Sequence, residues 1–186
     1  MSRFEILLLN CTRNEEPSEV NFLSEFFEMM RIRYPKSIVF SSVEIRSKND
    51  FLNQLSLSSP NIVHIAAHGY SKKSKGRRGK RTSIWIKDDE EVTSQEISEL
   101  PKRARKLVSV SACLTSYKDL ANSFLNKGTE HYLAPKTEVG WVEAAIFFVT
   151  FYKRYLYDRK SFEDSFYYAR HNTKLSKDFP EYWYSE

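Results

Sequence analysis

Apolar positions along the chain follow two alternating rhythms. Compact runs rich in apolar residues have the length of strands: RFEILLLN at 3–10, SIVFSSVEI at 37–45, NIVHIAA at 61–67, SIWIK at 83–87, KLVSVSA at 106–112 and TEHYLA at 129–134. Between them the spacing widens to three and four residues. In SEVNFLSEFFEMMRIRY, 18–34, the residues Val20, Leu23, Phe27, Met30 and Tyr34 form one helical stripe begun by Ser18 after Pro17. NDFLNQLSL predicts a short helix that opens at Asn49 or Asp50 and ends before Pro60. Thr93 and Glu96 have the spacing of a capping box in TSQEISEL, and Pro101 stops that helix. YKDLANSFLNK predicts a helix that stops at Gly128, and two closing helices are expected over about 140–157 and 161–173.

Strands separated by helices of this length pair in parallel through crossover connections. The pattern therefore predicts an α/β fold with a mostly parallel central sheet flanked by helices on both faces. With 186 residues, 41% hydrophobic and 15% aromatic, and no repeat or linker, the chain is expected to form a single domain over 1–186. Its tail, DFPEYWYSE, is expected to dock, because Tyr182, Trp183 and Tyr184 together would make an unusual exposed surface.

Charge modifies this picture in one place. Lys and Arg exceed Asp and Glu by 29 − 24 = 5, and much of the excess lies in SKKSKGRRGKR, with Lys72, Lys73, Lys75, Arg77, Arg78, Lys80 and Arg81. Such a run predicts a mobile surface loop inserted at about 71–82. A nucleic-acid contact would have to use this loop, 72–81, which has no aromatic residue on which a base could stack. No stretch approaches the roughly 18 apolar residues of a membrane helix. The short apolar start also lacks the cleavage site of a signal peptide, so a soluble, cytoplasmic protein without membrane contact is expected. Cys11 and Cys113 are too few for a disulfide framework.

The candidate chemistry sits where strands run out into loops, because side chains and backbone N–H groups converge at the carboxyl ends of parallel strands. NIVHIAAHGY closes in His68 and Gly69, and LVSVSACLTS closes in Cys113. The two are 113 − 68 = 45 residues apart, which leaves room for one helix and a hairpin between neighbouring strands. An imidazole beside a thiol at one sheet edge is the arrangement of a cysteine nucleophile, whose thiolate forms when the imidazole takes the proton. Cys11 also ends a strand but has no histidine partner, and a structural role is expected for it. His64 lies within its strand and reads as a hydrogen-bonded core residue, and no function is expected for His131 or His171. No metal-ligand spacing links His64, His68 and Cys113. The five glycines allow no phosphate-binding loop, so neither a metal nor a cofactor is expected.

IVHIAAHG, then SIWIKDDEEVTSQEISEL, KLVSVSACLTS, LANSFLNKGTEHYLA and AIFFVTFYKRYL with FEDSFYYAR, occur in an order that resembles the CHAT family of caspase-like cysteine peptidases, from about residue 60 to 173. A histidine about 50 residues before an Ala-Cys pair is the caspase layout. The resemblance implies a caspase-like three-layer sandwich and peptide-bond hydrolysis through an acyl-enzyme, with Cys113 as nucleophile and His68 as base. Backbone N–H groups of Gly69 and Cys113 would hold the oxyanion. It supplies no third residue to orient His68. The segment after Gly128 departs from the family, so pocket chemistry does not carry over; Glu138 is the candidate for selecting a basic residue before the scissile bond. If it does, the basic loop offers sites for self-cleavage. The resemblance further implies a protein substrate, a separately encoded sensor or activator, and a role in bacterial antiviral defence or regulated cell death. The contrasting expectation is a non-catalytic caspase-fold module that binds a partner or nucleic acid through the basic loop.

Overall fold

The computed structural model describes residues 3–13, 15–57, 59–73, 80–87, 89–173 and 182–185. The first half of the chain gives β1 (Phe4–Asn10), α1 (Glu19–Arg33), β2 (Ile38–Glu44), α2 (Lys48–Leu57), β3 (Ile62–Ala66), β4 (His68–Lys73), β5 (Lys80–Ile86), β6 (Glu90–Thr93) and α3 (Ser94–Glu99). The second half gives β7 (Arg105–Ser111), α4 (Lys118–Leu125), β8 (Thr129–Pro135), α5 (Trp141–Tyr152) with a π-helical continuation over Lys153–Tyr157, α6 (Phe162–Asn172) and β9 (Tyr182–Ser185).

The central sheet has the order β2-β1-β3-β7-β8-β9. All its pairings are parallel except that of β8 with β9. Its strands are apolar on both sides because both faces are covered. On one face Leu8, Ala66 and Leu107 pack with Leu23 and Phe27 of α1, Phe148 and Phe151 of α5, and Phe166 of α6. On the other, Leu9, Ile65 and Val110 pack with Phe51 of α2, Ile97 of α3, Phe124 of α4 and Ile84 of β5. These three layers are the α/β architecture that the apolar rhythm predicts.

Local chemistry sets the element ends. Ser18 accepts from the Val20 N–H and starts α1, while Thr93 and Glu96 close the capping box of α3 in both directions. Helix α2 opens earlier than the sequence predicts: Ser47 Oγ accepts the Asp50 N–H at 3.2 Å and Asp50 accepts the Arg46 N–H at 3.1 Å. The cap is thus Ser47, and Asp50 answers it from inside the first turn. Gly128, at φ 97°, takes the left-handed turn after α4, where a Cβ would come within 2.9 Å of the Arg103 carbonyl oxygen.

Two regions depart from the sequence expectation. The loop expected over 71–82 is corrected at both ends, because Ser71–Lys73 and Lys80–Thr82 are strand residues paired in antiparallel register, Ser71 with Thr82 and Lys73 with Lys80. A ladder is made by main-chain groups, and a basic sequence does not forbid it. The centre of the run, 74–79, and the mobility expected there lie outside the described residues. The tail docks as a strand rather than as loose aromatics. Tyr182 and Tyr184 pair with Pro135 and Leu133 of β8, and the Tyr182 ring stacks on Phe147 at 3.6 Å; residues 174–181 and 186 of the tail lie outside the described set. Among the described residues no helix is long and apolar enough to cross a membrane.

Candidate active site

Strand register decides which side chains meet. Ala66, the last residue of β3, pairs with Asn10 of β1 on one side and with Ser111 of β7 on the other. Side chains return to the same face every second residue. Two residues on from that row the chain offers Thr12, His68 and Cys113, since 68 − 66 = 113 − 111 = 2. The separation of 45 residues noted in the sequence is thus the register offset of β3 against β7. His68 and Cys113 both line a cleft of about 290 Å³ at this edge. Strand order reverses direction here, from β1 to β2 on one side and to β3 on the other, so the crevice opens where loops diverge.

The face concerned is the one that α1 and α5 cover, and the amino ends of those helices form the cleft walls: Pro17 and Glu19 on one side, Val139, Gly140 and Trp141 on the other. Cys113 is half-buried. The Val139 N–H donates to its Sγ at 3.4 Å, and the Val139 carbonyl lies 3.8 Å from the same sulfur. Immediately after it, Leu114 adopts φ 60°, a left-handed conformation that costs a non-glycine residue about 1–3 kcal/mol. Hydrogen bonds from the Leu114 N–H to Thr137 and from the Ser116 N–H to Pro135, both 3.3 Å, hold this turn. The strain ends β7 sharply and leaves the thiol at its tip.

Gly69 brings the two strand ends together. A Cβ built on it would overlap the Cys113 carbonyl oxygen and lie 2.8 Å from both Cys113 N and Cys113 C. Glycine is therefore required by backbone-to-backbone contact.

His68 opens β4, with Ala67 between it and the end of β3. Its Nε2–H donates to Glu16 Oε2 at 3.0 Å. Because an ionised carboxylate can only accept, this bond puts the ring proton on Nε2 and makes Nδ1 the basic nitrogen of the neutral ring. Glu16 also accepts the Arg13 N–H at 3.2 Å. The hydrogen bond from His68 in first place, helped by that from Arg13, holds the Glu16 carboxyl below its ordinary value of 4.5. Sequence reasoning missed Glu16. The one available signal was its place in the loop after β1, at the same sheet edge as His68, but Glu15 beside it carries the same signal.

Beneath the cleft, His64 is fully buried and hydrogen-bonded, as its mid-strand position suggested. Its Nε2–H donates to Glu19 Oε1 at 3.4 Å, and its Nδ1 lies 2.9 Å from Ser109 Oγ and 3.2 Å from Tyr152 Oη. The two hydroxyls are 2.7 Å apart. Burial foremost pushes the Tyr152 phenol well up, so it stays protonated and able to donate. His131 stacks on Phe162 at 4.2 Å, and His171 is exposed in the last turn of α6. Glu138 is exposed on the segment between β8 and α5, next to Val139, and does not line the cleft. Cys11 is fully buried, and burial foremost, then Glu44, pushes its thiol well up. Among the described residues no group of three or more His, Cys, Asp or Glu could hold a metal ion.

A search of the curated proteins gives no match. A family model described as the CHAT domain matches residues 12–179, which include all of the cleft residues named above. With a match across almost its whole length, a caspase-like sandwich and a histidine and cysteine at one sheet edge, the chain belongs to the CHAT domain family of caspase-like peptidases.

Proposed function

We propose that the protein is a cysteine endopeptidase that cuts a protein substrate by means of His68 and Cys113. What carries this reading is the convergence of the two side chains on one cleft at matched register, with the His68 ring held in a single tautomer by Glu16. Nδ1 of His68 takes the thiol proton as Sγ attacks the scissile carbonyl, and the Val139 N–H remains at the sulfur as its charge develops. The backbone N–H groups of Gly69 and Cys113 receive the oxyanion, each worth on the order of 3 kcal/mol in a water-excluded site. The His68 imidazolium, steadied by the Glu16 carboxylate, returns the proton to the leaving amine, and water then attacks the thioester with His68 again as base. A separately encoded activator and a place in bacterial defence or regulated cell death fit the family and belong to this proposal.

The test is a peptide-library digest comparing the protein with its Cys113→Ala form, with and without candidate partner proteins encoded beside it. Cleavage products present only with Cys113 support the reading. Identical product spectra from both forms under every condition would sink it.

A further inference from the structure

The cleft holds more than the two reacting groups. Its floor is Glu19 and Ser111, both about nine-tenths or more buried, at 4% and 5% exposure. Ser111 Oγ has no hydrogen-bond partner among the described residues. Ser111 lies two residues before Cys113 on the same face of β7, so its hydroxyl points into the recess next to the sulfur. Glu19, the first residue of α1, has one bonded partner among the described side chains, His64 at 3.4 Å. His64 can satisfy that bond by donating from Nε2 while Nδ1 accepts from a hydroxyl of Ser109 or Tyr152. Glu19 also stands at the amino end of a helix, which favours negative charge. Among the described residues the Tyr182 hydroxyl is also buried without a hydrogen-bond partner, and burial foremost, then Glu19, pushes it well up.

The electrostatic balance is one-sided. Among the described residues the lining contains two acidic side chains, Glu16 and Glu19, and no lysine or arginine, in a chain whose net charge is +5. Leaving an acidic group and a hydroxyl buried without full pairing is unfavourable. A cation with several N–H donors answers both. At about 290 Å³ the whole cleft, reacting groups included, lies just below the roughly 300–1,000 Å³ range of small-molecule pockets, a size suited to one side chain beside the thiol.

We propose, resting on the peptidase reading above, that this recess is a specificity pocket for a lysine or arginine immediately before the scissile bond, received by the Glu19 carboxylate and the Ser111 hydroxyl. Trp141, 41% exposed at the mouth, covers the aliphatic stem. A leucine or methionine in the same place would leave both floor groups dry and unpaired, which is how a polar pocket rejects an apolar side chain. Glu138, the residue expected from sequence to select a basic residue, lies outside the cleft, and the role passes to Glu19.

Two measurements on the full chain test the pocket and the chemistry separately. In the first, iodoacetamide alkylation of Cys113 is followed by peptide mapping in the presence of benzamidine or its neutral analogue benzamide. Benzamidine is expected to slow alkylation roughly tenfold or more, benzamide not, and the protection is expected to vanish in Glu19→Gln, which keeps the size of the side chain. Equal protection by both compounds, protection retained in Glu19→Gln, or no protection by either overturns the pocket without touching the peptidase reading. In the second, the peptide library is scored at the residue before the cut. Cys113-dependent cleavage after lysine or arginine is expected, weakened in Ser111→Ala and Glu19→Gln. Cys113-dependent cleavage chiefly after apolar residues overturns the specificity alone, and absence of any Cys113-dependent cleavage overturns the peptidase reading and the substrate assignment with it.

Discussion

The ends of β1 and β7 each carry a cysteine, and the two thiols have opposite fates. Cys11 follows Asn10 by one residue, and Cys113 follows Ser111 by two, although Asn10 and Ser111 flank the same residue, Ala66. Because side chains alternate across a sheet, that difference of one position sends Cys11 to the face covered by α2, α3 and α4 and Cys113 to the face where α1 and α5 begin. On the first face the thiol is sealed among Leu9, Ile45 and Phe51, and burial pushes it well up. On the second it sits half-buried beside an imidazole and a backbone N–H donor. Reactivity here follows the parity of the position, not the presence of a cysteine at a strand end.

The largest effect expected from breaking this contrast is on turnover. Cys113→Ala should lower Cys113-dependent peptide cleavage by a factor on the order of a thousand or more, as loss of a nucleophile does. Cys11→Ala should leave kcat/KM per folded molecule within a few-fold. Iodoacetamide should label Cys113 in the folded protein and Cys11 only after denaturant is added, as read by peptide mapping. Equal labelling of both in the folded state would remove the distinction.

Gly69 tests the same edge through the backbone. In Gly69→Ala the new methyl meets the Cys113 main chain, which cannot swing aside as a side chain could. The two strand ends must part, and a displacement near 1 Å at a reacting group costs roughly a hundredfold in rate. Overpacking should also lower stability by about 1–3 kcal/mol. Turnover and a urea titration on the same sample measure both, and unchanged kcat/KM would show that the close approach is dispensable.

Much of this was legible in the sequence. The apolar rhythm gave the layers, and two strand ends 45 residues apart pointed to one sheet edge for His68 and Cys113, while the register itself came with the structure. What was not legible came from contacts that no local pattern encodes. Glu16 and Glu19 are ordinary acidic residues in a loop and a helical first turn, and only the path of the chain from the end of β1 into α1 brings them to the cleft. Ser111 is one more small strand residue in the sequence, and only the structure leaves its hydroxyl without a partner among the described residues. Glu138 was named because it lies in the segment after Gly128, yet Val139 next to it makes the contact with the thiol and Glu138 is exposed. The basic run concealed a hairpin because its charge is conspicuous and main-chain pairing is not.

Glu16 has a smaller expected effect than Gly69. Glu16→Gln keeps an oxygen acceptor but removes the charge that steadies the imidazolium, and its amide can also turn an N–H toward the ring. A kcat/KM loss of roughly tenfold is expected, part of the 10²–10⁴ that general acid-base catalysis supplies, because the pair is half-exposed to water. The sign of the linked stability effect is fixed by the direction of the shift. The Glu16 carboxyl titrates lower in the folded chain than its ordinary 4.5, so its contribution is fully present above that value and is lost as pH falls through the lower, folded one. Thermal unfolding of wild type and Glu16→Gln should differ at pH 6 and converge in acid. A difference that persists unchanged into strong acid would assign the effect to something other than the carboxylate.

The last prediction returns to the two thiols and inverts their order. Cys11→Ser places a hydroxyl where no part of the residue reaches solvent and where Leu9, Ile45 and Phe51 offer it no partner, at a cost of about 1–3 kcal/mol. Cys113→Ser puts the same hydroxyl in an open cleft, with the Val139 carbonyl and N–H close by, and should change stability by no more than about 0.5 kcal/mol. The variant that abolishes turnover is therefore expected to be nearly as stable as wild type, while the one that spares turnover is the less stable. Urea midpoints for the pair decide it: if Cys113→Ser proved the more destabilised, the sulfur at the end of β7 would be holding the fold together rather than standing ready in the cleft.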